Sequence, residues 1–475
     1  MSDGARLDAL YAAVYASPDD DAPRQVLADA LLELGDPRGE LIALQLAPRR
    51  DLERERALLD AHGAAWSAAF RDAGGVTFER GFPAHLTLSS RTTDAAGADL
   101  PPLEITRAWR TLVSVRRLEH VPAAIGLAVA ALPALRELDG GSALIGELLR
   151  VPRPWTRLHL TGLLTPQMLA AMPELRALQW TAPAIPRGLL AATQLVELSL
   201  APTRPPERVD LPPTLERLEV SAHRGFPRLD LAQTPRLAYL SLSGPGAVPA
   251  ALPASLEKLR VRYTERPLPA FAIAAGSRLR DVQITEPTIG EHDLAPFAHV
   301  AAMQLTAMRD LHPRALSRLR ALRELEVSAP GELRDDLGGL AALERLTVHA
   351  GGTRPALAGT AIHALAWRRL DPDGLRSPLP LRTATLAAPG DAATLPALFA
   401  RYPLLTELQL VHHGDWRAPV ELARLARDSG LRRLSFDGAI TLVRDRGGEP
   451  WATVVDAPRA RVTLQLLDGM PELAR

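Results

Sequence analysis

The chain has 475 residues, 47% of them apolar, and its 55 basic and 55 acidic side chains give a formal net charge of zero. A neutral balance removes any global electrostatic case for nucleic acid or a membrane surface, and the lack of cysteine excludes disulfides, thiolate nucleophiles and cysteine-based metal sites. Residues 1–10 carry Asp3, Arg6 and Asp8 without an apolar core segment, and no uncharged apolar run reaches about 18 residues, so neither a signal peptide nor a membrane span is expected and the default compartment is the cytoplasm.

The first 75 residues read as helices. One pattern runs from about Ala5 to Ala16. Asp21-Ala22-Pro23 then reads as an N-cap and first-turn proline for a second helix ending near Gly35. After the turn GDPRG (35–39), the run ELIALQL (40–46) reads as a third helix, and a fourth spans roughly Arg50–Ala73 with Leu52, Leu58, Leu59, Trp66 and Phe70. This segment holds 8 basic and 14 acidic side chains, so it is acidic while the rest is slightly basic.

From Leu135 a different rule applies. Leu135, Trp155, Leu175, Leu195 and Leu215 stand 20 residues apart, and each opens a version of L-x-x-L-x-L. Ten looser copies follow from Leu237, Leu256, Leu279, Val300, Leu322, Leu343, Ile362, Leu381, Leu405 and Leu431. A fixed period near 20 residues means one supersecondary unit stacked many times. Within the phrase the fourth and sixth positions are apolar and the third, fifth and seventh mostly polar, the alternation of a strand with one buried face. So short a strand cannot bury that face alone, so copies must pair into a parallel sheet, with covered crossovers between them. TPQMLAAMPE (165–174), HPRALSRLRA (312–321) and LPALFARYP (395–403) suit helical crossovers, as does GLAVAALPA (126–134), whereas DLPPT (210–214) and ALPAS (251–255) are too short and proline-rich and should be extended or 3₁₀. Fifteen strands at about 4.8 Å make a sheet on the order of 70 Å long.

These phrases resemble the leucine-rich-repeat family over roughly residues 80–440, and LPPTLERLEV (211–220) and LPASLEKLRV (252–261) look like its short proline-containing bacterial type. The family usually places Asn or Cys after the third apolar position to ladder the turns, yet this chain contains neither. Apolar stacking should carry the fold in their absence. The stretch 17–46 is similar to the bacterial repeat-companion domain, matching D-x-A-P-R, then L-A-D-x-L-x-E-x-G-D-P-R-G-E, then L-x-x-L in order. That resemblance implies a module placed ahead of repeat arrays, and a first repeat needs such a cap over its apolar end. At the far end ITLVRD (440–445), PWATVV (450–455) and RVTLQLL (461–467) read as strands that close the sheet edge. The expected fold is therefore an α/β leucine-rich-repeat solenoid with its parallel sheet on the concave face. The expected divisions are a helical companion domain at 1–75, repeats at 76–438 and a β cap at 439–475.

Motifs for chemistry are missing. The single lysine, Lys258, sits in L-E-K-L, which excludes a P-loop; no G-x-S-x-G and no H-E-x-x-H occurs. Adjacent His412 and His413 would point to opposite faces of a strand, and Asp19–Asp21 lacks calcium-loop spacing, so no metal and no cofactor is expected. The chain reads as a non-enzyme.

Outward strand positions line up as columns on a solenoid. They present Arg217 and Glu219, Tyr239 and Ser241, Lys258, Arg260 and Arg262, Asp281 and Gln283, then Glu324 and Glu326, then Arg345, Thr347 and His349. Lys258, Arg260 and Arg262, with Tyr239 and Arg217 alongside, make the densest basic group, and Glu324 and Glu326 an acidic one. Mixed signs suit a protein partner with a complementary pattern; sign alternation that merely keeps the sheet soluble accounts for the same residues, as with Glu324 beside Arg345. Nucleic-acid binding through the arginine-rich face is the alternative, disfavoured by the neutral charge and the scarcity of exposed aromatics. Trp155 and Trp180 occupy core positions.

Overall fold

In the computed structural model each of the fifteen phrases supplies one strand. The structure describes residues 3–17, 20–68, 73–88, 117–121, 135–140, 154–204, 208–222, 228–245, 251–262, 271–273, 276–290, 293–312, 314–329, 337–349, 357–370, 375, 377–387, 394–411, 431–436, 440–443 and 452–455. The crossover 126–134, the histidine pair 412–413, Asp19 and the strand 461–467 expected from sequence lie outside these residues. The chain forms two compact units, Met1–Ala222 and His223–Arg475, each described on its own.

The first unit opens with helices α1 (Asp3–Ala16), α2 (Ala22–Glu33), α3 (Pro37–Leu46) and α4 (Leu52–Trp66). Their ends follow local chemistry. Gly35, at φ +72°, closes α2 in a Schellman turn in which Asp36 N–H donates to Leu31 O (2.9 Å) and Gly35 N–H to Leu32 O (3.0 Å). Asp36 then caps α3 by accepting from Arg38 N–H, and Asp51 caps α4 by accepting from Arg54 N–H. At α2 the expectation is altered: Asp21 holds the N-cap position, but the side chain that accepts from Ala22 N–H is that of Asp20, while Asp21 bonds Arg80 at 2.8 Å.

The fourth helix stops at Trp66, and by Ala73 the chain is extended: β1 (Ala73–Glu79) and β2 (Phe82–Leu88) form an antiparallel hairpin. Residue 75, the expected domain boundary, falls inside β1. Arg80 (φ 52°) and Gly81 (φ 79°) are both left-handed, as a two-residue I′ hairpin turn requires. Gly81 is needed for space as well, because a Cβ there would lie 2.0 Å from Ile42 Cγ1. The hairpin completes the helical core. Phe82 packs with Val14, Leu27, Leu31 and Ile42, and Phe78 with Leu41 and Leu58. The two motif arginines flank one ring, with Arg24 Cζ 4.9 Å and Arg38 Cζ 4.8 Å from the Phe82 centroid. Gln45 ties α3 to the turn, accepting from Gly81 N–H at 2.8 Å and donating to Phe78 O at 3.2 Å. Glu55, 4% exposed, accepts from Arg50 Nε at 2.7 Å, and that guanidinium holds its carboxyl below the usual range.

From β2 the parallel sheet begins, through β3 (Arg117–Val121), β4 (Glu137–Gly140), β5 (Arg157–Thr161), β6 (Ala177–Thr181), β7 (Glu197–Leu200) and β9 (Arg217–Ser221). Helix α5 (Pro166–Ala170) is the crossover before β6, and β8 (Arg208–Val209) is a short extended piece before β9. Leu158, Leu178, Leu198 and Leu218 face one another in register, all buried. Trp155 and Trp180 are buried in this core, where the Trp180 indole donates to Gly162 O at 2.8 Å.

The second unit continues the pattern with β11 (Tyr239–Ser243), β13 (Lys258–Arg262), β15 (Asp281–Ile289), β16 (Ala302–Leu311), β17 (Glu324–Ser328), β18 (Arg345–Val348), β19 (Ala364–Trp367), β20 (Thr383–Ala387), β21 (Glu407–Val411) and β22 (Arg433–Phe436), each parallel to the next. Short strands β10 (Arg228–Leu229), β12 (Ala251–Leu252) and β14 (Ala272–Ile273) lie between them, a 3₁₀ turn covers 316–318, and helix α6 (Thr394–Arg401) precedes β21. DLPPT and ALPAS form no helix: each starts extended and ends in a turn, with Leu215 N–H donating to Pro212 O (3.3 Å) and Leu256 N–H to Pro253 O (3.1 Å), because proline cannot donate the bonds a helix needs. The edge is closed by β23 (Ile440–Val443), antiparallel to β22, and β24 (Ala452–Val455), antiparallel to β23. Each unit has the α/β leucine-rich-repeat fold built on a parallel sheet, with helices preceding the sheet of the first unit and a β cap following that of the second.

Main-chain hydrogen bonds tie successive repeats together at the heads of the strands. At the start of a strand two consecutive N–H groups share one carbonyl from the turn before: Arg176 and Ala177 donate to Thr156 O (2.9 and 3.0 Å), and Glu344 and Arg345 to Arg323 O (2.8 and 2.9 Å). Hydroxyls reinforce several turns, as Thr214 to Leu195 O (2.7 Å) and Ser255 to Leu237 O (2.8 Å). Buried polar backbone is thereby satisfied without a dedicated side chain.

Candidate interaction surface

Because side chains alternate along a strand, burying the leucines turns every second residue outward. Register then sets the columns. In the second unit one column runs Tyr239, Lys258, Asp281, Ala302, Glu324, Arg345, Ala364, Thr383, and the next runs Ser241, Arg260, Gln283, Gln304, Glu326, Thr347. Outward residues Asp281, Gln304, Glu324, Glu326 and Arg345 line one hollow, and Arg345, Thr347, Thr383, Glu407 and Arg433 a second. In the first unit a hollow is lined by Glu137, Asp139, Arg157, His159, Glu197 and Arg217. Each hollow draws on side chains from several successive strands.

The sequence places these residues on one face; lateral pairing decides their charge. Arg217 Nε lies 3.1 Å from Glu219, so that cation is matched within its own strand. Lys258 pairs with Asp281, Arg345 with Glu324, and His349 with Glu326 at 3.2 Å. The basic group and the acidic group are thus each partly neutralised by the next strand. Arg260 and Arg262 differ: both are exposed, and among the described residues neither has a carboxylate within ion-pair distance. Arg260 lies over the Tyr239 ring, 5.6 Å from its centroid. In the first unit Arg157 bridges Glu197 (3.0 Å) and Glu137 (3.8 Å), and His159 meets Asp139 at 2.9 Å.

One ionisable residue escapes the sequence pattern. Glu286 sits on β15 opposite Ala307, fully buried, and among the described residues neither carboxyl oxygen has a hydrogen-bond partner. Burial first, and the nearby Asp293 carboxylate second, push its pKa up to about 8. The signal was the length of the strand: the phrase LRDVQI predicts an end near Ile284, yet β15 runs to Ile289 and carries Glu286 onto the inward face. Among the described residues no group of three His, Cys, Asp or Glu side chains is placed to hold a metal ion, and no helix is long and apolar enough to cross a membrane.

The chain matches no protein-family model and no curated protein sequence. Among solved structures it is similar to the functional domain of InlJ from Listeria monocytogenes, which includes a cysteine ladder, at 13% identity and TM-score 0.35, over 64% of this chain and 70% of that one. It is also similar to a chain of the Toll–Spatzle complex of Drosophila, a molecular hub in development and innate immunity, at 13% identity and TM-score 0.32, over 72% of this chain and 50% of that one.

Proposed function

We propose that this protein is a non-catalytic cytoplasmic scaffold or sensor that binds a partner protein on the outward sheet face and holds or regulates an effector enzyme through it. Supporting this reading above all is the face itself: several successive strands of one unit present polar and charged side chains in register around open hollows. On the second unit the contact residues are Tyr239, Lys258, Arg260, Arg262, Glu324, Glu326 and Arg345; on the first it is Arg217. The N-terminal helices serve as the cap of the array, sealing its apolar end.

Ion pairs within the face tune what binds. A partner able to insert between Lys258 and Asp281, or between Arg345 and Glu324, exchanges one pairing for another, so charge complementarity governs selectivity and on-rate more than raw affinity. Reversal of Lys258, Arg260 and Arg262 to Glu is expected to weaken association with the protein captured from the native host by about tenfold or more, and to flatten its salt dependence. Isothermal titration of both forms against that protein measures the change. Unaltered affinity removes this patch from the contact. Retardation of random-sequence DNA or RNA at moderate salt, abolished by the same reversal, would assign the face to nucleic acid.

A further inference from the structure

We propose that Arg260 and Arg262, with the polar side chains beside them on β11 and β15, bind a phosphorylated side chain of the partner protein. The inference rests on the reading of this face as protein-binding and narrows it to one chemistry.

The two arginines occupy alternate positions of β13 and so emerge from the same face, about 7 Å apart along the strand. Their lateral neighbours are fixed by register. Ser241 and Gln283 flank Arg260; Ser243 and Thr285 flank Arg262. Every one of these six side chains can donate a hydrogen bond and none carries negative charge. Elsewhere on the sheet face of this unit, cations meet a carboxylate from the next strand, as at Lys258 and Arg345. Here the place of a carboxylate is taken by a hydroxyl or an amide. The positive charge of about two matches a phosphate dianion, whereas one carboxylate satisfies a single guanidinium. Tyr239 helps by holding the Arg260 guanidinium near its ring, which limits the freedom the fork must lose on binding.

The surroundings select an isolated dianion over a polyanion. Asp281 borders the array on the β15 side, and Glu324 and Glu326 stand three strands from β13, about 14 Å away. A nucleic-acid backbone laid across the strands would meet those carboxylates, while one phosphorylated serine or threonine would not.

Fluorescence anisotropy with the full chain decides the matter. The probes are three labelled degenerate peptide pools, identical except for phosphoserine, serine or glutamate at the centre. The phosphorylated pool is expected to bind about tenfold or more tightly than the other two. Arg260→Gln with Arg262→Gln should erase that preference. Arg318→Gln with Arg320→Gln, an equal loss of charge in the turn before β17, should leave it intact. Equal binding of the phosphoserine and glutamate pools, or a preference that survives loss of both arginines, overturns the proposal. So does displacement of the phosphopeptide by random single-stranded RNA at equal phosphate concentration, which would reassign the array to nucleic acid. A native partner that binds equally well after phosphatase treatment, yet is lost on reversal of Lys258, Arg260 and Arg262, overturns this inference and leaves the scaffold reading standing.

Discussion

Replacing Glu286 with leucine is expected to stabilise the second unit, and to do so more at pH 8.5 than at pH 5. The carboxyl is fully buried on β15, both oxygens are without a hydrogen-bond partner among the described residues, and its pKa is pushed up to about 8. In the unfolded chain the same group ionises near its ordinary value of 4.5. The folded protein therefore keeps a proton that the unfolded chain has released across that interval. Stability falls as pH rises by roughly 1.4 kcal/mol per unit between about 4.5 and 8, and levels off above. The residue is at its least harmful below about 4.5, where both states are protonated, and even there an unsatisfied hydroxyl costs about 1–3 kcal/mol. Leucine, of similar volume, removes both penalties, so the variant should gain a few kcal/mol at alkaline pH and a smaller amount at pH 5. Asp293 is the other charge that bears on this group; its carboxylate is already engaged by Gly290 N–H at 2.6 Å, and its repulsion adds to the cost of ionising Glu286. Thermal unfolding of both forms from pH 4.5 to 9 measures the effect. Parallel curves for wild type and Glu286→Leu would show that Glu286 does not set the slope.

The second large effect lies at the other end of the chain. Gly39→Ala and Gly81→Ala should each destabilise the helical module by about 3 kcal/mol or more, against about 1 kcal/mol for Gly35→Ala and almost nothing for Gly4→Ala. The ranking follows from what a methyl would meet. At Gly39 it would stand 2.7 Å from Ala28 O and 2.8 Å from Leu32 N, both main-chain atoms of α2, so α2 and α3 would have to separate. At Gly81 it would overlap Ile42 Cγ1 and also force an alanine into φ +79°. At Gly35 the backbone is left-handed but the space is open, leaving only the conformational cost. Gly4 is helical and unobstructed. Circular dichroism melts, with proteolysis between α1 and β2 as a second readout, would order the four. A Gly39→Ala protein as stable as wild type would contradict the close helix crossing.

These glycines also explain the motif at 35–40. Gly35 turns the chain, Asp36 caps the next helix, Arg38 stacks on Phe82 and bonds Gly81 O at 3.1 Å, and Gly39 lets the helices touch. Pro37 opens α3 and Glu40 pairs with Arg54 at 2.6 Å, so each of these six positions has a structural task within the module.

The repeats were legible because their period is set by burial, and burial is written as leucine. All fifteen phrases became strands. Two strands at the start escaped the pattern for plain reasons: β2 has Pro83 where a leucine opens the phrase, and β3 has His120 at the third apolar position. The hairpin turn escaped because arginine, not asparagine or glycine, adopts the first left-handed position. Columns of outward residues could be read from alternation alone. Which cations are neutralised could not, since pairing depends on strand register and on rotamers, as with Lys258 and Asp281, 23 positions apart in sequence. Glu286 was hidden because an acidic residue beside Pro287 reads as a turn, whereas the extension of β15 carries it inward.

The shared carbonyls at the heads of most of the described repeat strands have an evolutionary corollary. An extra copy spliced between two existing ones finds its acceptor already waiting on the main chain, and offers an equivalent acceptor to whatever comes next. No matching asparagine has to be inherited on either side. Lengthening or shortening by whole modules is chemically cheap in such an array, so relatives that differ in length should differ by complete copies of the phrase.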